Sequence, residues 1–169
     1  HLLSRRQRQM CIRDSYKGYH SDAARTHAVG EVSEEAKKLI QVTKECFFEG
    51  IKYAKAGNHL FDISGAIGRY AEERGYGVVR DLCGHGIGTA LHEAPEIPNY
   101  EVGRKGVKLR PGMTLAIEPM INIGTYEVDW LDDDWTVVTR DGSLSAHYEN
   151  TILITEGEPR ILSLTCDNE

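Results

Sequence analysis

No hydrophobic run in this chain approaches the roughly 20 residues needed to span a bilayer, so a helical membrane anchor is not expected within it. Positive charge is not in excess either. The 20 Lys and Arg residues stand against 26 Asp and Glu, a formal net charge of −6. That balance gives no electrostatic case for nucleic acid or an anionic membrane as partner. Cysteine is sparse, and Cys11, Cys46, Cys83 and Cys166 form no CxxC pair. With no charged-then-apolar leader at the start, they read as reduced thiols, and the expected compartment is the cytoplasm. Internal repeats and low-complexity stretches are also missing. What remains is ordinary globular composition: 169 residues, 40% hydrophobic and 27% charged. That length suits one domain able to bury about two thirds of its unfolded surface.

The first fifteen residues stand apart. Arg5, Arg6, Arg8 and Arg13 crowd there with a single acid, Asp14, and without helical or strand periodicity. The chain begins with His1, and its composition changes at Tyr16. Residues 1–15 are therefore expected to be a non-native or wrongly joined end rather than a basic arm, and 16–169 to be a partial domain.

The stretch most unlike a regular element is Cys83-Gly84-His85-Gly86-Ile87-Gly88-Thr89-Ala90-Leu91-His92-Glu93-Ala94-Pro95. Glycines on both sides of His85 suit a sharp turn or the close approach of another group, and so present an imidazole into a cavity. Around it, 16–30 reads as a Lys17-Gly18 turn and a strand that puts His20 and Asp22 on one face. Ser33 is a plausible N-cap for a helix running past Phe47 to Ala54 and closing at Ala56-Gly57. A second helix carries Ile63, Ala66, Ile67, Tyr70 and Ala71 and stops at Gly75. Strands are expected over 76–82, 113–118, 135–139, 145–155 and 160–164, with 94–112 mostly loop. A hairpin turn at Arg140-Asp141-Gly142 leads into the long strand. Two helices followed by an antiparallel meander is an α+β pattern.

Four residues stand out as candidate metal ligands in separate elements: Asp22, His85, Glu118 and Glu149. Each alone is weak, since a lone carboxylate is usually solvated and a lone histidine usually structural. Glu118, however, follows Leu115-Ala116-Ile117, and Glu149 precedes the apolar run 151–154. A carboxylate forced toward a buried face needs a partner, and a cation supplies one. Three carboxylates and an imidazole suit Mn, Fe, Co or Zn. Such a set can bridge two divalent ions and acidify a shared water. A neutral His92 nearby could donate to a substrate carbonyl or its tetrahedral intermediate, although a capping role fits its spacing equally well.

Six pieces in order complete the reading: 18–22 (GYHSD), 84–88 (GHGIG), 91–95 (LHEAP), 117–120 (IEPM), 134–137 (DWTV) and 148–151 (YENT). Together they make the chain resemble the type I methionine aminopeptidases, over residues 16 to about 165. The resemblance implies a pita-bread (creatinase/aminopeptidase-like) α+β fold. This chain would be its C-terminal portion, with two helices packed on a curved antiparallel sheet, a partial M24-type catalytic domain. It also implies that Asp22, His85, Glu118 and Glu149 bind two divalent ions, with Asp22 and Glu149 bridging. Catalysis would fall to Glu118, relaying a proton to the leaving amine, and to His92, touching the carbonyl. Leu91 and Trp135 would border the methionine pocket together with His92. The implied reaction is removal of an N-terminal methionine by metal-bound hydroxide, in a cytoplasmic monomer whose partners are nascent polypeptide N-termini. The family's fifth ligand, an Asp eleven residues before Asp22, is here Cys11. Weak metal binding and little activity are therefore expected of this chain alone. A prolidase-type Xaa-Pro peptidase and a non-catalytic peptide-binding module are the competing readings.

Overall fold

The computed structural model describes residues 14–164, so Cys11, Cys166 and the Arg-rich start lie outside it. Strands β1 (Asp14–Tyr16), β2 (Tyr19–Ser21) and β3 (Ala23–Arg25) precede helices α1 (Glu34–Ile51) and α2 (Leu60–Glu72). There follow β4 (Gly77–Val78), β5 (Gly84–Gly86), β6 (Glu93–Ile97), β7 (Thr114–Ile117) and β8 (Met120–Asn122). The chain continues through β9 (Val128–Trp130), β10 (Val137–Thr139), β11 (Ser145–Leu153) and β12 (Arg160–Ile161). Two helices on a sheet whose described pairings are antiparallel is the α+β architecture expected.

Strand β11 collects the rest. Along one side it pairs with β8 (His147 opposite Met120) and then with β7 (Asn150 opposite Ile117). Glu118 and Pro119 occupy the break between those two strands. Along its other side it pairs with β3 (Glu149 opposite Ala24) and β12. Beyond β7 lie β5 and, at the sheet edge, β6. The side chains of β11 are buried almost throughout, because one face, with Tyr148, packs on α1 and the other, with His147 and Glu149, faces a cluster of carboxylates.

The helices cover this sheet because their apolar residues recur at threes and fours. In α1 the buried stripe is Leu39, Val42, Thr43, Cys46, Phe47 and Gly50. Ser33 Oγ accepts from the Ala36 N–H at 3.2 Å, and Glu34 and Glu35 sit in the first turn, where the helix dipole favours anions. In α2, Asp62 accepts from the His59 N–H at 2.8 Å, and Ile63, Ile67 and Ala71 face inward. The Phe47 ring packs against that of Tyr148 of β11, tilted by 53° with centroids 5.3 Å apart. Each such fully buried apolar side chain contributes about 1.5–3 kcal/mol through its removal from water.

Four differences from the sequence reading bear on the architecture. Helix α1 stops at Ile51, and the chain tightens through Tyr53 and Ala54 to Gly57, whose φ of +94° a side chain would resist. The strand expected over 76–82 shrinks to Gly77–Val78. Residues 94–97, within the 94–112 expected as mostly loop, belong to β6; Pro95 is tolerated because β6 is an edge, where a missing N–H costs no ladder bond. Finally, β10 pairs with β9, which the sequence did not suggest, in a separate two-stranded ribbon rather than with β11.

Candidate metal centre

Asp22 sits between β2 and β3, and its backbone is locked to β11. Its N–H donates to Thr151 Oγ1 at 2.9 Å, and its carbonyl accepts from both the Thr151 hydroxyl and N–H. That double grip fixes the position from which the buried Asp22 carboxylate projects (3% exposed). Glu149 comes from β11 itself and is equally buried (2% exposed). Arg25 of β3 secures this segment: it donates to the Glu149 carbonyl and to Asn150 Oδ1, and lies over the Tyr148 ring at 3.9 Å.

His85 is delivered by β5, whose glycines let the neighbouring strands approach. A Cβ at Gly84 would lie 2.3 Å from the Ala116 carbonyl oxygen of β7, and one at Gly86 would lie 2.2 Å from that of Ala94 in β6. The His85 Nδ1 is 2.9 Å from the Gly86 carbonyl. Only a protonated Nδ1 satisfies that oxygen, so in the neutral ring the Nε2 carries the lone pair. That Nε2 faces Glu118 Oε1 at 3.6 Å. An acceptor nitrogen aimed at a carboxylate oxygen is repulsive unless a proton or cation lies between them.

Glu118 stands in the break between β7 and β8, its carbonyl held by Asn99 Nδ2 at 3.1 Å. Its second oxygen lies 3.6 Å from Nε2 of His147, which is also 3.8 Å from Glu149 Oε2. Burial, and then the positive charge of Arg25, push the His147 imidazole down to about 4. Two donor groups emerge, Asp22–His85–Glu149 and Glu118–His147–Glu149, with the donor atoms of each within 4.8 Å of one another. Oxygen and imidazole donors at that spacing fit a divalent cation such as Mn, Fe, Co or Zn.

The family model of metallopeptidase family M24 matches residues 13–156. The chain belongs to that family. The methionine aminopeptidase of Clostridium acetobutylicum is 60% identical over 147 residues, which are 87% of this chain and 59% of that protein. The crystal structure of the Thermotoga maritima methionine aminopeptidase superposes with a TM-score of 0.86 at 49% identity, over 89% of this chain and 60% of that one. A prolidase from Pyrococcus furiosus superposes at 0.71 and 27% identity, over 92% of this chain and 40% of that one. The chain thus spans about three fifths of the aminopeptidases it matches. Both neighbours share the pita-bread fold with this member of metallopeptidase family M24.

All four ligand candidates of this M24 domain therefore meet in space, although they come from four different segments. His92 stands beside them: its ring is 4.4 Å from that of His85, edge to face, and its residue is exposed. Its loop is pinned by Glu93, whose carboxylate accepts from the Ala90 N–H at 2.8 Å and is held below the usual carboxylate range by that bond. Leu91, half-buried, adjoins it. Trp135 stands 74% exposed in the connection between β9 and β10. His147 was missed in the sequence. The signal was there, since residues two apart on a strand share a face and His147 precedes Glu149 by two. No helix among the described residues is long and apolar enough to cross a membrane.

Proposed function

We propose that the chain carries the metal-holding residues of a methionine aminopeptidase, an enzyme that removes the N-terminal methionine of a polypeptide. The observation that carries this reading is the convergence of Asp22, His85, Glu118 and Glu149 on one buried cluster, in a chain 60% identical to a methionine aminopeptidase. When bound there, divalent cations, two in the resemblance, acidify a water and polarise the scissile carbonyl. Asp22, His85, Glu118 and Glu149 would hold them. Glu118, between its two histidines, takes a proton from the attacking water and returns it to the leaving amine. His92, at the exposed rim, donates to the carbonyl oxygen as charge builds on it. Leu91 and Trp135 would border the methionine side chain.

Peptide turnover by these 169 residues alone is proposed to be slow, because Cys11 occupies the register of a fifth carboxylate ligand. Binding therefore tests the reading more directly than rate. Cobalt should bind the purified chain, and Glu118→Ala should weaken that binding. A phosphinic mimic of Met-Ala should bind only with metal present, and more tightly than an Xaa-Pro mimic. Preference for the Xaa-Pro mimic would favour a prolidase-type enzyme. Metal-independent binding of the Met-Ala mimic would leave only a peptide-binding module.

A further inference from the structure

We propose that His147 is the positioning residue of this centre, its Nε2–H shared between the outer oxygens of Glu118 and Glu149. The inference rests on the metal-holding reading above. It starts from an asymmetry between the two buried imidazoles. His85 has its Nδ1–H committed to the Gly86 carbonyl and so presents a lone pair to the cluster. The Nε2 of His147 instead faces two carboxylate oxygens, at 3.6 Å and 3.8 Å. A ring nitrogen facing two carboxylate oxygens is best satisfied by carrying a proton. Glu118 is thus addressed from both sides, Oε1 by His85 and Oε2 by His147.

The consequence is orientation. Glu118 and Glu149 arrive from different segments, and their like charges repel at short range in a poorly solvated site. A donor between their outer oxygens offsets that repulsion and leaves their inner oxygens for the cation. The separations exceed a hydrogen bond of about 2.7–3.2 Å by several tenths, so the N–H acts toward the two oxygens chiefly through its dipole. His147 itself is held on both backbone groups: its N–H donates to Thr26 Oγ1 at 2.8 Å, and its carbonyl accepts from the same hydroxyl at 3.1 Å. A strand fixed so firmly aims the ring without help from the metal.

The test is cobalt titration of the full chain, followed by calorimetry and by the visible absorption of the bound ion. His147→Leu should lose about 10- to 100-fold in affinity and shift the cobalt bands, the usual effect of removing a group that orients a ligand. His147→Gln should keep both near the parent, since an amide donates as the imidazole does but is a poor ligand. Thermal melts without metal check folding. If His147→Leu does not fold, His147→Asn, one methylene shorter than Gln, takes its place and should lose affinity while Gln keeps it. Leu or Asn variants binding as the parent does would overturn the proposal, and so would a Gln variant as weak as Leu, which would make His147 a ligand. If His85→Ala binds cobalt as tightly as the parent, the centre itself is misassigned, and the proposed function falls together with this inference.

Discussion

Replacing Gly84 with alanine should damage the metal centre without touching any ligand. The added Cβ would sit 2.3 Å from the Ala116 carbonyl oxygen and 3.4 Å from Ile97 Cβ. The first is a backbone atom of β7, so no side-chain rotation relieves it. Clearing 3.0 Å requires β5 and β7 to part by about 0.7 Å, in a core packed too densely to absorb the shift elsewhere. Overpacking of this kind costs about 1–3 kcal/mol. The displacement matters more than the energy. His85 is the next residue along β5, and Glu118 follows β7 directly, so the shift opens the very separation, 3.6 Å, across which they face each other. Functional groups tolerate about 0.5 Å of misplacement. Gly84→Ala should therefore lower the melting temperature without metal and weaken cobalt binding about 10- to 100-fold. A variant that melts lower yet binds cobalt normally would refute the link between strand spacing and ligand placement. One unchanged in both would refute the close approach itself.

Two further outcomes follow from ionisation. Asp141 accepts from the Thr125 N–H at 2.8 Å and from the Ser143 N–H at 2.9 Å, and these bonds hold its carboxyl down at about 2. Since the folded value lies below the unfolded one, its support for the turn is complete above about pH 4 and is lost as pH falls through 2. An NMR titration should give a midpoint near 2 for Asp141, with the Thr125 amide following it; a midpoint near 4 would contradict the bonding. Burial pushes the Cys46 thiol up to about 12, while Cys83 is only partly buried. Iodoacetamide at neutral pH should therefore leave Cys46 unmodified until urea is added, and labelling of native Cys46 at the rate of Cys83 would contradict its burial.

How far the sequence carried depended on whether the cue was local. Ser33, the 3–4 spacing through Phe47 and the Lys17-Gly18 turn each act within a few residues, and the structure has all three, Gly18 at φ +83°. Pro95 misled because a proline argues against a strand only when both sides of that strand are paired, and no local pattern says that β6 is an edge. The β9–β10 ribbon was misassigned for a related reason. The turn at Asp141 is real, but which strand pairs across it is decided by neighbours twenty or more residues away.

The same division explains the centre. Three of the four ligand candidates carried a local oddity, Glu118 and Glu149 a charge beside an apolar run and His85 a place between glycines, whereas Asp22 carried none. The long strand over 145–155 was expected; what no local pattern showed is which segments pair with it. Strand β11 supplies Glu149, clamps Asp22 through Thr151, and pairs along one edge with both strands that flank Glu118; β7, one of these, also seats β5 and hence His85. His147 escaped notice because its only cue is relational. A histidine two positions before a glutamate means little until the strand is known to be buried at Glu149, partly buried at His147, and to aim that face at a second carboxylate. Where one strand gathers every ligand, its inward-facing positions should be searched first for the groups that orient them, and His147 is the one that such a search finds here.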